Sequence, residues 1–240
     1  RQKFIHEFNI DRSEVTVSNY KVCVDDGFCS PPDVAGACNW LRQDRAQHPV
    51  NCVSWHQADT YCRWIGKRLP TEEEWEYAAR GLDHREFPWG NEEPTGRVCW
   101  QRKAGEGTCP IGQFASGQSA FGLFDMAGNV WEWTASRYDE GCDGDKDCAA
   151  DERTVRGGSW FNEGEQYIRS TFRTYARPAE NLVLRRVADE HGPRGVRHLV
   201  SVLHALCPVI RWGDVRAHAV LWCCPRRRAV PRARARSHAR

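Results

Sequence analysis

Between Phe121 and Thr134 the chain reads FGLFDMAGNVWEWT, and this stretch constrains the fold more tightly than any other. It brings two glycines, an amide, two indoles and two carboxylates into fourteen residues. Gly122 and Gly128 imply backbone turns that a Cβ would obstruct. Asn129 and Glu132 set an amide oxygen and a carboxylate three residues apart, beside the carbonyls of a tight turn. Hard oxygen donors at that spacing suit Ca²⁺. The same residues also read as a Gly-Asn turn feeding a Trp-rich core strand.

Upstream, the period of the apolar residues changes. Residues 1–24 alternate apolar and polar side chains with β-branched types and predict a strand followed by a short helix. Cys23–Cys52 is rich in loop formers, with Pro31, Pro32 and Gly36. Ser54 is a helix N-cap for Trp55–Ile65, where Ala58, Tyr61, Cys62 and Ile65 share one face. Thr71 with Glu74 three residues later is a capping box. It starts a helix over Glu72–Arg80 with Trp75, Ala78 and Ala79 inward and Gly81 as the stop. From there to Gly117 only turns and short strands are predicted, and Val155–Arg177 supplies the last core strands. Residues 136–154 form an acidic loop. Its Asp143, Asp145 and Asp147 imitate an EF-hand, but Cys148 and Thr154 stand where Gly and Glu are required, so an EF-hand is rejected.

The charge is uneven. Of 34 Lys+Arg and 32 Asp+Glu, residues 181–240 hold 13 Arg and 3 acids, which leaves 21 basic and 29 acidic residues in 1–180. The composition therefore changes class near Asn181, giving a folded domain over 1–180 and an Arg-rich tail over 181–240. The tail reads either as an arm for nucleic acid or acidic lipid, or as a disordered or non-native segment. The absence of any coherent amphipathic face favours the second, so no nucleic-acid partner is expected. No run of 18 apolar residues exists, so no transmembrane segment is predicted. The chain lacks an initiator Met and a signal-peptide pattern and opens inside an apparent strand, as a fragment or processed product would.

Nine of the 12 cysteines fall within residues 1–148. None has C-x₂-C spacing and no His cluster accompanies them, which argues against zinc and for an extracytoplasmic disulfide framework. Cys142 with Cys148, and Cys99 with Cys109, bracket short polar loops and are expected to pair. Cys23, Cys29, Cys38 and Cys52 make two bonds whose partners the sequence leaves open. Cys62 is left over.

Five separated segments complete the reading: His48–Gly81, Phe87–Asn91 (FPWGN), the opening stretch, Val155–Trp160 (VRGGSW) and Tyr167–Pro178. In this order and spacing they resemble the formylglycine-generating enzyme family, also called the sulfatase-modifying factor domain, from about Phe8 to Pro178. The resemblance implies an α+β fold of the C-type-lectin-like kind with little regular secondary structure. It implies a calcium site at Gly128, Asn129, Val130 and Glu132. It does not extend to the family's second calcium site, because VCW (Val98–Trp100) replaces the expected N-I-W. Trp133, Ser159, Trp160, Arg169 and Arg173 match residues that line or support the family's central groove. They also read as core indoles and as arginines paired with buried carboxylates such as Glu74 or Glu132. The family's partner for Cys62 is a cysteine where this chain has Val187.

Catalytic members of that family oxidise a protein cysteine to formylglycine with O₂ and copper held by two cysteines shortly after GGS. Here those positions read Asn162 and Tyr167. An amide and a phenol are not the soft thiolates that Cu(I) prefers, so copper is not expected and no catalytic residue is assigned. Three functions remain in view: a non-catalytic module binding a peptide, glycan or protein ligand outside the cytoplasm; a copper-dependent oxidase of the sulfatase-activating type; and part of a sulfoxide synthase. The last places its iron-binding histidines on a separate helical domain, and His6, His48 and His56 lack metal spacing.

Overall fold

The structure, a computed structural model, describes residues 5–138 and 151–179. The expected Cys142–Cys148 bond, most of the acidic loop, Val187 and the 181–240 tail lie outside them.

Among the described residues the architecture is α+β: three short α-helices, three single 3-10 turns, a three-stranded sheet and long irregular connections. Helix α1 spans Val17–Asp25, α2 spans Trp55–Trp64 and α3 spans Glu72–Arg80. Both predicted caps form. Thr71 Oγ1 accepts from Glu74 N while Glu74 reaches back to Thr71 N. Ser54 does the same with Gln57, a second capping box. Gly81 closes α3 with φ 69°, the left-handed conformation in which glycine carries no Cβ penalty.

Strands β1 (Glu132–Arg137), β2 (Arg153–Arg156) and β3 (Arg173–Ala176) form an antiparallel sheet in that order. Glu132 pairs with Arg156 and Trp133 with Val155. Helix α3 lies on β1 and β2, and α1 meets α2 through the stacked rings of Tyr20 and Tyr61, 5.3 Å apart.

Among the described residues the predicted N-terminal strand is not formed. Ile10 and Val15 are buried, but Glu14 through Val17 are buried in succession and not alternately, and β-pairing is limited to the isolated bridge between Thr16 and Pro49. A strand needs a partner of its own length, and the loop after Ala46 turns away into α2 at once. Between Gly81 and Gly117, likewise, isolated bridges replace the expected short strands. Three disulfides staple these connections: Cys23–Cys29, Cys38–Cys52 and the predicted Cys99–Cys109. Each bond of this kind stabilises by about 2–4 kcal/mol. Cys62 is a free, buried thiol.

Among the described residues no helix is long and apolar enough to cross a membrane.

Candidate functional site

The opening stretch carries several left-handed backbone positions. Gly122, Asp125, Gly128 and Asn129 all take positive φ, between 52° and 75°. Only Gly, Asn and Asp adopt that region readily, which is why those residue types recur here. At Gly128 a Cβ would overlap the carbonyl oxygen of Cys99, as predicted. Gly122 differs, because nothing lies within 4 Å of a Cβ there. Its glycine answers the backbone angle, not an obstruction.

Asn129 is fully buried and joins four segments. Its N–H donates to Cys99 O at 2.7 Å and its carbonyl accepts from Trp160 N at 2.9 Å. Its side-chain oxygen accepts from Cys109 N at 2.9 Å, and its amide nitrogen donates to Glu14 Oε2 at 2.8 Å. The side chain is thus engaged with protein groups on both sides, and it ties the Cys99–Cys109 loop to the N-terminal segment.

Glu132, three residues on, is fully buried and accepts from the indole N–H of Trp75. Two further indoles fix the same strand: Trp133 donates to Val53 O at 3.1 Å, and Trp55 donates to Thr134 O at 2.8 Å.

Two carboxylates absent from the predicted site belong to this cluster. Asp125, almost buried, accepts from Gly112 N at 2.6 Å. Glu14 is 1% exposed, and its Oε1 has no hydrogen-bond partner. Burial, followed by the negative charges of Asp125 and Glu132, pushes the Glu14 carboxyl well above its ordinary range, against the opposing hydrogen bond from Asn129. Asp125 was visible in the same stretch, four residues before Asn129. Glu14 was not, because 115 residues separate it from its Asn129 partner.

No three His, Cys, Asp or Glu side chains among the described residues are grouped so as to hold a metal ion. A cation at the sequence-predicted site would draw on the Glu132 carboxylate, on turn carbonyls such as those of Gly128 and Val130, and on water, while the Asn129 amide oxygen already accepts from Cys109 N. That donor chemistry fits Ca²⁺ and not Cu(I).

The groove residues do not share one environment. Trp133 is in the core, fully buried. Trp160 is buried against the Cys99–Cys109 disulfide. Ser159 donates to Asn162 Oδ1 through its N–H at 2.7 Å and through its hydroxyl at 2.9 Å. Asn162 is therefore the closing residue of the Ser159–Asn162 turn. Tyr167 packs its ring against Phe172 and Trp131, at 5.1 and 6.4 Å. Arg169 is half exposed and pairs with Glu86 at 3.0 Å and Glu165 at 3.6 Å. Arg173 binds Glu72 at 2.7 Å and lies over the Tyr138 ring. The arginines do pair with carboxylates, but with Glu86, Glu165 and Glu72 rather than Glu74 or Glu132. Glu74 is held by Arg68 instead. Arg173 alone of the five lines the open cavity of about 770 Å³ beside α3, with Glu73, Tyr77, Arg80 and His84.

A family model described as the sulfatase-modifying factor enzyme 1-like domain matches residues 1–189. The chain is 43% identical over 144 residues to the inactive C-alpha-formylglycine-generating enzyme 2 of Bos taurus, covering 55% of this chain and 44% of that one. It is 51% identical over 106 residues to the formylglycine-generating enzyme of Thermomonospora curvata, covering 38% and 34%. The chain therefore spans less than half the length of these relatives. Among solved structures it is similar to PvdO from Pseudomonas aeruginosa, with a TM-score of 0.57 and 27% identity over 72% of this chain and 76% of that one. The match over most of its length assigns the chain to the sulfatase-modifying factor enzyme 1-like (formylglycine-generating enzyme) family.

Proposed function

We propose that this chain is a non-catalytic member of its family: a C-type-lectin-like, calcium-binding module that takes a peptide, glycan or protein ligand outside the cytoplasm. The observation that carries the reading is the environment of Asn162 and Tyr167. At the positions where the family resemblance implies copper-binding thiolates, the amide closes a turn on Ser159 and the phenol ring is packed among aromatics. Neither an amide nor a phenol is a soft thiolate donor of the kind Cu(I) prefers. A relative named inactive supports the same reading.

Calcium is supported by the buried carboxylates around Glu14 and by the oxygen donor set. The extracytoplasmic setting is supported by the three disulfides, which persist in oxidising compartments. The domain boundary proposed near Asn181 is tested by limited proteolysis. A core ending near that residue is expected, and a protease-resistant tail whose removal unfolds the core would refute it.

The deciding experiment incubates the full chain with copper, O₂ and a peptide carrying the CxPxR sequence, followed by mass spectrometry of the peptide. No conversion of its cysteine to formylglycine is expected. Copper-dependent turnover would establish the competing reading, an oxidase of the sulfatase-activating type.

A further inference from the structure

Outside the carboxylate cluster lies a second buried polar network, and it joins two disulfide-closed loops. Arg45 and His48 belong to the loop closed by Cys38–Cys52, and Thr108 to the loop closed by Cys99–Cys109. His48 Nδ1 is 3.1 Å from Arg45 Nη1 and 2.8 Å from Thr108 Oγ1. Arg45 Nη1 also donates to Thr108 O at 2.8 Å, and Nη2 donates to Glu106 O at 3.0 Å. Asn39 Nδ2 donates to Thr108 Oγ1 at 2.9 Å. Next to this network Ile111 N donates to Gln47 O.

These contacts fix the protonation state of the ring. A guanidinium only donates, so Nδ1 faces Arg45 with a lone pair. Thr108 Oγ1 accepts from Asn39 and can turn its own proton toward the same lone pair. The ring proton of neutral His48 therefore sits on Nε2. A proton added at Nδ1 would point at the Arg45 donor and would require the Thr108 hydroxyl to turn its own proton away. It would also set a second positive charge 3.1 Å from a guanidinium. The charged groups around the ring are Arg45, Arg42 and Asp44. Beside the Thr108 backbone, which also favours a protonated ring, only Asp44 favours the added charge. Its side chain is 63% exposed and already binds Arg45 Nε at 3.1 Å.

We propose that Arg45, His48 and Thr108 form a pH-sensitive latch that holds the Cys99–Cys109 loop closed while His48 is neutral and releases it when His48 is protonated. Release follows from the geometry. Either the ring swings out or Arg45 moves off, and Arg45 carries the bonds to Thr108 O and Glu106 O. The loop in turn supports the Ser159–Asn162 turn, because Trp160 packs on its disulfide and Arg102 N donates to Trp160 O at 2.8 Å. Acidification would thus loosen the floor beneath that face. The inference stands whether or not the proposed ligand binding is correct, since the readout is the loop itself. Burial, then the neighbouring Arg45, lowers the His48 pKa from 6.5 to about 4, in line with a ring held as an acceptor.

The test is amide hydrogen exchange of the full chain, corrected for intrinsic rates, from about pH 7.5 to about pH 4. Residues 103–110 should lose protection by about tenfold or more as the pH falls, and His48→Gln should abolish that dependence. The same dependence in His48→Gln, or no dependence in the parent, would overturn the latch. Should His48→Gln fail to fold, ring nitrogen and Cε1 NMR titration of the parent decides. A neutral Nε2–H tautomer titrating well below 6.5, together with loop shifts, is expected. An Nδ1–H tautomer or an ordinary His titration would refute the proposal.

Discussion

Asn162 turns its amide oxygen back on Ser159 and accepts from both the N–H and the hydroxyl of that one residue, at 2.7 and 2.9 Å. A thiolate at this position could not replace both bonds, and an amide cannot replace a thiolate on copper. The double variant Asn162→Cys, Tyr167→Cys is expected to gain Cu(I) binding in a competition titration against a chelator, while the parent shows none. Asn162→Ala alone should destabilise the turn by about 1–2 kcal/mol, read by urea unfolding. Tight Cu(I) binding by the parent would mean that the thiolate positions have been misassigned.

Glu132 carries the calcium prediction. Glu132→Ala should lower the Tm by about 4–10 °C, because it removes a proposed ligand and the acceptor of the Trp75 indole. The Tm alone does not separate those two effects, so EDTA supplies the readout. Chelation should lower the Tm of the parent and leave the variant unchanged. An equal shift in both proteins would place the ion elsewhere.

Two glycines of the same stretch should respond differently. Gly128→Ala forces a Cβ against Cys99 O and the Val98 side chain and should cost at least about 3 kcal/mol. Gly122→Ala has open space and only an unfavourable φ of 75°, so about 1–2 kcal/mol is expected. Denaturant midpoints of the two variants give the comparison, and equal costs would contradict the packing at Gly128.

Glu74 gives stability a definite pH dependence. Burial alone would raise its carboxyl, but the hydrogen bonds from Arg68 and the Thr71 backbone outweigh burial and hold the pKa below 4.5. A carboxyl depressed in the folded state binds protons more weakly there than in the unfolded chain. Its stabilisation is complete above pH 4.5 and is lost as the pH falls through the folded value. Glu74→Gln should flatten the stability profile in that acid window. Thr71→Ala, which removes the other half of the capping box, should cost about 1 kcal/mol with little change in slope.

The sequence by itself determined what short-range chemistry controls. Helices α2 and α3 were legible to within a residue, since Ser54, Thr71 and Gly81 satisfy or terminate hydrogen bonds with residues no more than four positions away. The Cys99–Cys109 bond was legible because it closes a short loop. The identities of Asn162 and Tyr167 after GGSW were legible because residue identity needs no tertiary information, and the copper reading drawn from them is part of the proposal. The tertiary structure alone decided the rest. Whether Cys23 joins Cys29 or a more distant thiol depends on where loops return, and local preference does not encode that. Trp133 is fully buried because β1 is covered by α3 and by the loop at Val53. The N-terminal alternation yielded buried side chains without a strand, because pairing needs a neighbouring strand and burial does not. Glu14 reached Asn129 across 115 residues, and Arg45 reached Thr108 across 63, only after intervening loops had closed. Such contacts are selected by the free energy of the whole packed chain, because each must offset the entropy of bringing distant segments together.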